Sequence, residues 1–150
     1  MLGISASGPT KRWDIENYIN LAIKLNKVRN CRFIIAAGKK DQEIIDKIKK
    51  SKIGENCLSL DKFSIQEILP IFKNCDLYIG NDTGWANISA ALNLKSLYLF
   101  CDSPSDAYGA WRNKIEIIIT EGEIVCKHNT RGKDRMYLNE VVGKALEMNN

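Results

Sequence analysis

Short runs of apolar and β-branched residues alternate along the chain with segments in which apolar residues recur at helical spacing. Residues 32–37 (RFIIAA) have the pattern of a buried strand, and residues 41–50 place Ile44, Ile45 and Ile48 on one face of a helix. Strands that are separated by helices of this length pair in parallel and are covered on both faces. The sequence therefore predicts one doubly wound α/β domain with a mostly parallel sheet, spanning residues 1–150.

The same pattern places the other elements along the chain. A helix is predicted to open at Ser64, because Glu67 follows at the spacing of a capping box, and Pro70 is expected to bend or shorten this helix. The other predicted helices cover residues 15–25, 85–92 and 137–147, and the other predicted strands cover residues 1–6, 57–60, 76–80, 97–100 and 115–120.

Composition and charge exclude several classes of protein. With 45% hydrophobic and 27% charged residues, and only 3 Pro and 10 Gly, the chain is neither disordered nor collagen-like. Its apolar stretches are too short to span a bilayer and its first residues do not form a signal peptide, so a cytoplasmic location is expected. The net charge of +4 is mild and fits an anionic small molecule or a location near anionic lipid, with no sign of a nucleic-acid partner.

The cysteines, the histidine and the absent motifs limit the chemistry that the chain can carry. Five cysteines, an odd number without a C-x-x-C pair, predict reduced core thiols rather than a disulfide framework or a structural zinc site. The single histidine, His128, lies in a polar segment, and the sequence contains no G-x-S-x-G motif. Both observations disfavour a hydrolase triad. Neither a G-x-G-x-x-G nor a P-loop motif occurs, which disfavours dehydrogenases and nucleoside triphosphatases.

The strongest candidate site follows the predicted strand 76–80. Asp82, Thr83 and Gly84 stand directly before a predicted helix, at the sheet edge where ligands of doubly wound folds bind. Unpaired amides at the helix start, the Thr83 hydroxyl and the helix dipole suit a phosphate group, and Gly84 permits close approach. The alternative interpretation is that Asp82 or Thr83 only caps the helix.

Two other loops carry candidate ligand-binding residues. Lys11 and Arg12 follow the first strand and would neutralise a diphosphate leaving group, or they belong to an exposed basic turn. Asp41 and Glu43 follow the second strand and would hydrogen-bond ribose hydroxyls, or they are acids that the helix dipole favours.

Taken together, these loops resemble a known family. Residues 5–13 (SASGPTKRW) resemble the G-A-S-x-P-T-K-R-W segment of the ADP-heptose:lipopolysaccharide heptosyltransferases, glycosyltransferase family 9. Residues 77–91 (LYIGNDTGWANISAA) resemble their V-x-x-D-T-G-x-x-H-x-A-A block, and residues 97–109 (LYLFCDSPSDAYG) their L-x-G-P-T-D-P segment. The tail, residues 134–145, is similar to the closing M-x-x-I-x-x-E-x-V stretch. The match is collinear over nearly the whole chain.

The resemblance implies a Rossmann-like three-layer α/β/α domain, the C-terminal and donor-binding half of a two-domain GT-B enzyme. Thr10 and Lys11 would contact the diphosphate of an ADP-activated sugar, and Asp41 or Glu43 would lie near its ribose. The phosphate and sugar end of the site would be formed by Asp82, Thr83 and Gly84. The transfer would invert the anomeric centre in bacterial lipopolysaccharide biosynthesis, with no metal and no cofactor beyond the donor substrate.

The sequence departs from the family pattern after the Asp-Thr-Gly motif and in its extent. Trp85 and Ala86 stand where the family has a Pro-Met pair. Asn87 replaces the family histidine and keeps a hydrogen-bond donor without the charge, so the sugar preference is expected to differ. The N-terminal half, which in this family carries the acceptor surface and the proposed general base, is absent from the 150 residues. The catalytic residue is therefore unknown, and the chain is either part of a glycosyltransferase or a non-catalytic nucleotide-sugar-binding module.

The missing half also predicts what the chain associates with. Trp13 is expected to pack at the junction of its loop with the following helix, and Trp85, Tyr108 and Trp111 are expected to be core residues or pocket walls. Because all four stand in otherwise polar segments, the other expectation is that they contribute to an apolar face where another domain docks. A separate N-terminal-half protein or a second copy of the chain is the expected partner. Peripheral association with the inner face of the inner membrane is compatible with a chain that has no transmembrane segment.

Overall fold

The computed structural model describes residues 1–109 and 114–149. Its strands are β1 (Leu2–Gly3), β2 (Phe33–Ala36), β3 (Cys57–Ser59), β4 (Tyr78–Asn81), β5 (Ser96–Phe100) and β6 (Ile115–Ile119). Its helices are α1 (Ile15–Arg29), α2 (Gln42–Lys50), α3 (Ile65–Lys73), α4 (Gly84–Ala91), α5 (Ser105–Tyr108) and α6 (Leu138–Met148). Short 3-10 turns occur at Pro9–Lys11, Lys39–Asp41, Gly54–Asn56 and Lys133–Arg135.

The six strands of the described residues form one parallel sheet in the order β3-β2-β1-β4-β5-β6. Gly3 of β1 lies beside Ala36 of β2 on one side and Gly80 of β4 on the other. Strand order therefore reverses between β1 and β4, and their carboxyl ends flank the crevice in which doubly wound folds bind ligands. The predicted fold class is confirmed.

Helices cover both faces of the sheet, as the alternating pattern predicted. On one face the core joins α1, α2 and α6 to the sheet through buried side chains such as Leu21, Ile45 and Val141. On the other face α3 and α4 pack against the sheet through Phe72 and Ala90. The result is a three-layer α/β/α arrangement. In residues 1–109 and 114–149, the helices lack the length and hydrophobicity that crossing a membrane requires.

Helix ends differ from the predicted bounds for local reasons. Helix α1 continues to Arg29 and stops at Asn30, whose φ of 50° lies in the left-handed region that asparagine tolerates. Ser64 and Glu67 form the predicted capping box at the start of α3, and the helix runs through Pro70 to Lys73. The short helix α5 has no counterpart among the predicted elements, because four residues are too few to show a period.

Gly3 and Gly80 allow the two central strands to pack against the buried Tyr78 ring. A Cβ on Gly80 would lie 2.6 Å from the Cα of Gly3, and one on Gly3 would overlap the Tyr78 hydroxyl. Any side chain at these positions would have to push the strands apart. The glycines are therefore required for close approach at the centre of the sheet.

Beyond Gly3 the chain leaves the sheet, and the side chain of Asn81 takes over the contacts between β1 and β4. Asn81 is fully buried. Its Nδ2 lies 3.2–3.4 Å from the carbonyl oxygens of Gly3, Ile4 and Ser5, and its Oδ1 accepts a 2.9 Å hydrogen bond from the Trp13 amide. One amide group thus fixes both ends of the loop between β1 and α1.

Replacing Asn81 with alanine is expected to destabilise the chain. The Trp13 amide and the Ser5 carbonyl would lose their buried partner, at a cost of about 1–3 kcal/mol in the free energy of unfolding. Urea denaturation would measure this cost, with Asn20→Ala, an exposed asparagine of α1, as the control. Equal stability of the two variants would contradict the role assigned to Asn81.

Candidate functional site

A cavity of about 630 Å³ opens at the carboxyl edge of the sheet, over the crevice between β1 and β4. Lys11 reaches it from the loop after β1 and Lys40 from the loop after β2. The start of α4 forms its floor, and Tyr108 and His128 stand on the side of β5 and β6. Loops from both halves of the sheet therefore meet in one space, as the sequence predicted.

A larger cavity, of about 790 Å³, lies at the opposite edge of the sheet, around Met1, Cys31 and Cys75. Helix α1 ends there at Asn30. Ligands of doubly wound sheets bind outside the carboxyl ends of the strands, whereas this cavity lies at their amino ends. The carboxyl-edge cavity is therefore the better candidate for a phosphate-containing ligand.

Helix α4 begins without a side-chain cap. Thr83 precedes it in an extended conformation, with φ −154° and ψ 176°, and makes no capping hydrogen bond. The capping interpretation therefore does not describe Thr83. The first amides of α4 are left for a ligand at the end of the helix that carries partial positive charge.

The Thr83 hydroxyl and Gly84 complete this helix start. The Oγ1 atom of Thr83 is buried and has no hydrogen bond of normal geometry within the described residues. It lies close enough to the Tyr78 hydroxyl to oppose the strong rise that burial causes in the pKa of Tyr78. A Cβ on Gly84 would meet no described atom within 4 Å, so the space beside this glycine is open.

A buried aspartate, Asp41, holds the Lys11 loop on its β2 side. Asp41 accepts hydrogen bonds from the Ser5 hydroxyl at 2.8 Å, the Gly38 amide at 3.0 Å and the Arg12 guanidinium at 3.3 Å. It is only 2% exposed, and the cavity wall does not include it. The expectation that Asp41 contacts ribose is therefore not met, because both of its oxygens already serve the loop.

Asp102 holds the same loop from the β5 side. Burial raises its pKa, but hydrogen bonds from the Thr10 hydroxyl and the Arg131 amide outweigh burial and leave the pKa below its ordinary value. The Arg131 and Lys11 charges act in the same direction. Thr10 thus has a structural partner, and it does not line the cavity.

The structure brings together five of the eight site residues expected from the sequence, namely Lys11, Asp82, Thr83, Gly84 and Asn87. Thr10 and Asp41 lie behind the cavity wall, and Glu43 is exposed on α2 outside it. The expectation that Asp41 or Glu43 lies near the ribose therefore stays open only for Glu43.

Some lining residues were missed from the sequence. Lys40 and His128 face the cavity and were not among the predicted site residues, whereas Tyr108 lies in the cavity wall as the sequence predicted. Lys40 stands in the loop after β2, so it could have been predicted at this edge by the argument used for Lys11, which stands in the loop after β1. His128 lies in a segment without periodicity, so only the folded chain shows where it goes.

The four aromatic residues that stand in polar segments differ in burial and position. Trp13 is fully buried and donates from Nε1 to the Met136 carbonyl at 2.9 Å, so it packs before α1 as predicted and does not belong to an exposed docking face. Trp85 is half-buried in the cavity wall and stacks on Phe72 with ring centroids 6.2 Å apart. Tyr108 is 47% exposed, and Trp111 lies outside the described residues.

Comparison with protein families decides the affiliation of the chain. The model of glycosyltransferase family 9 (heptosyltransferase) matches residues 2–137. The chain belongs to glycosyltransferase family 9. The resemblance seen in the loop motifs is thereby confirmed.

Relatives in this family are longer proteins. Lipooligosaccharide heptosyltransferase 2 of Campylobacter jejuni is 26% identical over 113 residues, which cover 71% of this chain and 34% of that protein. Lipopolysaccharide heptosyltransferase 1 of Campylobacter coli is 36% identical over 74 residues, which cover 49% of this chain and 21% of that protein. The chain thus spans about a third of the length of the curated relatives it matches.

Solved structures share the fold at low identity. E. coli ADP-heptose lps heptosyltransferase II superposes with a TM-score of 0.83 at 22% identity, over 98% of this chain and 45% of that one. E. coli heptosyltransferase WaaC with ADP gives a TM-score of 0.77 at 16% identity, over 99% of this chain and 43% of that one. Both contain the α/β/α arrangement described above as part of a larger chain.

Asp41 and Glu43 are expected to respond differently to replacement by alanine. Asp41→Ala removes the acceptor shared by Ser5, Gly38 and Arg12 and should lower the free energy of unfolding by about 1–3 kcal/mol. Glu43→Ala changes only an exposed side chain, so its free energy of unfolding should lie within about 0.5 kcal/mol of that of the unmodified chain. Chemical denaturation without nucleotide measures the free energy of unfolding of both variants. Equal stability of the two would refute the anchoring role of Asp41.

Proposed function

We propose that this chain is the donor-binding part of a heptosyltransferase-like glycosyltransferase and that it binds an ADP-activated sugar at the carboxyl-edge cavity. The observation that carries the proposal is the meeting of Lys11 with the uncapped start of α4 in one cavity. A protein of the same fold, E. coli heptosyltransferase WaaC, has been solved with ADP, which supports the choice of nucleotide.

The residues of the cavity suit the parts of such a donor. The amides at the start of α4 and the Lys11 ammonium would hold the diphosphate, and Gly84 leaves room for it. Glu43 would turn toward the ribose, and Asp82 and Asn87 would face the sugar side of the diphosphate. Asp41 and Thr10 contribute by holding the Lys11 loop.

In the proposed transfer an acceptor hydroxyl attacks the anomeric carbon while the bond from that carbon to the diphosphate oxygen breaks. The configuration inverts, the hydroxyl proton passes to a general base, and ADP leaves. Lys11 and the dipole of α4 stabilise the charge that develops on the diphosphate. We also propose that this charge stabilisation requires neither a metal ion nor any other cofactor.

The proposal extends to the acceptor and to the general base. A lipopolysaccharide core or a related glycan would be the acceptor, in a cytoplasmic reaction at the inner face of the membrane. A separate N-terminal-half protein, or a second copy of the chain, would cover the cavity and supply the base. A non-catalytic nucleotide-sugar-binding module is the alternative, and it shares the same donor site.

Lys11→Ala should weaken ADP binding roughly 10- to 150-fold, the range for a lost hydrogen bond to a charged group. Isothermal titration calorimetry in the presence of a chelator measures this and also tests the metal-free proposal. Lys39→Ala is the matched control, because Lys39 is exposed on the same edge but does not line the cavity. An unchanged dissociation constant for Lys11→Ala would refute the site.

Gly84→Val should abolish ADP binding while the melting temperature shifts by only a few degrees. The new side chain would enter open space in the structure and fill the position proposed for a phosphate. Gly80→Val is the contrasting variant, since its side chain collides with β1 and should destabilise the fold itself. If Gly84→Val binds ADP normally, or fails to fold, then the space beside Gly84 is not the phosphate site.

A further inference from the structure

The cavity has two ends, and the strand order decides which loops form each. Its middle lies over β1 and β4, where Lys11 and the start of α4 meet. One end is lined by Lys40 from the loop after β2. The other end is lined by Tyr108, which follows β5, and by His128, which follows β6.

A nucleotide sugar bound with its diphosphate in the middle must place its nucleoside at one end and its sugar at the other. In sheets of this strand order the ribose contacts the loop that follows the second strand. The Lys40 end is therefore the nucleoside end. The sugar is left with the end formed by Tyr108 and His128.

Backbone hydrogen bonds fix the segment that carries His128. On its N-terminal side, the Ser105 amide donates to the Cys126 carbonyl at 3.1 Å and the Cys126 amide donates to the Ser105 hydroxyl at 3.0 Å. On its C-terminal side, the Arg131 amide donates to Asp102 at 2.8 Å and the Gly132 amide donates to the Cys101 carbonyl at 2.7 Å. The segment from β6 is thus tied on both sides of His128 to the loop after β5.

His128 stands at the tip of a tight turn within this segment. The Thr130 amide donates to the Lys127 carbonyl at 3.3 Å, and the Lys127 amide donates to the Thr130 hydroxyl at 2.9 Å. Asn129 has a φ of 70°, a left-handed conformation that asparagine adopts readily in turns. The turn presents an exposed imidazole to the cavity.

We propose that His128 hydrogen-bonds to hydroxyl groups of the transferred sugar and so helps to select it, an inference that rests on the proposed donor site. A neutral imidazole offers one donor and one acceptor, which matches a pair of neighbouring sugar hydroxyls. In the proposed donor site the diphosphate would lie at Lys11 and the nucleoside beyond it at the Lys40 end, so neither would reach this imidazole. His128 therefore distinguishes ADP-sugar from ADP.

The test compares ADP with ADP-heptose on the unmodified chain, on His128→Ala and on Lys127→Ala. His128→Ala should bind ADP within about twofold of the unmodified chain and bind ADP-heptose roughly three- to tenfold more weakly, the effect of one hydrogen bond. Lys127→Ala is the control from the same turn, because its side chain does not line the cavity, and should bind both ligands within about twofold of the unmodified chain. His128→Gln keeps a donor and an acceptor and should recover part of the ADP-heptose affinity.

Each outcome has one meaning. If His128→Ala weakens ADP and ADP-heptose equally, His128 contacts the nucleotide rather than the sugar and the inference is wrong. If it weakens neither, or if Lys127→Ala produces the same loss, His128 has no specific contact and the inference is also wrong. Failure of the unmodified chain to bind either ligand would instead refute the proposed donor site.

Discussion

At the carboxyl end of β4, the buried amide of Asn81 replaces the backbone pairing that β1 gives up after Gly3. Its Nδ2 faces the carbonyls of Gly3, Ile4 and Ser5, while its Oδ1 accepts from the amide of Trp13. The loop that carries Lys11 therefore leaves and returns at the same side chain. Because Asp82 and Thr83 follow Asn81 directly, this contact also sets the distance between Lys11 and the start of α4.

Two buried carboxylates support the same loop from opposite sides, next to the proposed diphosphate site. Asp41 is satisfied by Ser5, Gly38 and Arg12, and Asp102 by hydrogen bonds that keep its pKa low. Neither carboxylate lines the cavity. In the proposed donor site, attraction of the diphosphate then depends on the Lys11 ammonium and the amides of α4, which favour one position of the ligand over others.

The sequence was sufficient for the parts of the structure that repeat a local pattern. Short parallel strands end at one edge, so the loop after the first strand and the Asp82-Thr83-Gly84 loop had to converge, and they do. The inward turn of Asp41 could not be predicted, because its partners Ser5 and Arg12 lie 36 and 29 residues away in the chain. An acid at a helix start looks the same in sequence whether it faces ribose or a buried hydroxyl.

The position of His128 was beyond prediction for a related reason. The segment that follows β6 has no hydrophobic period, and its course depends on contacts with Cys101, Asp102 and Ser105. Trp13 shows the opposite case: its position at a loop-to-helix junction predicted packing, and its amide and its indole both have partners inside the fold.

The proposed transfer places the general base on the side of the sugar that the cavity wall does not cover. Asp82, the carboxylate among the described residues that line the cavity, directly precedes Thr83 and the start of α4. In the proposed donor site Asp82 therefore lies on the side of the leaving diphosphate. Inversion requires the acceptor hydroxyl to approach the anomeric carbon from the opposite side, and the base has to lie within hydrogen-bond reach of that hydroxyl. The proposed geometry thus divides the work, with donor binding at the carboxyl edge of this sheet and activation of the acceptor in a part of the enzyme that faces this edge across the sugar.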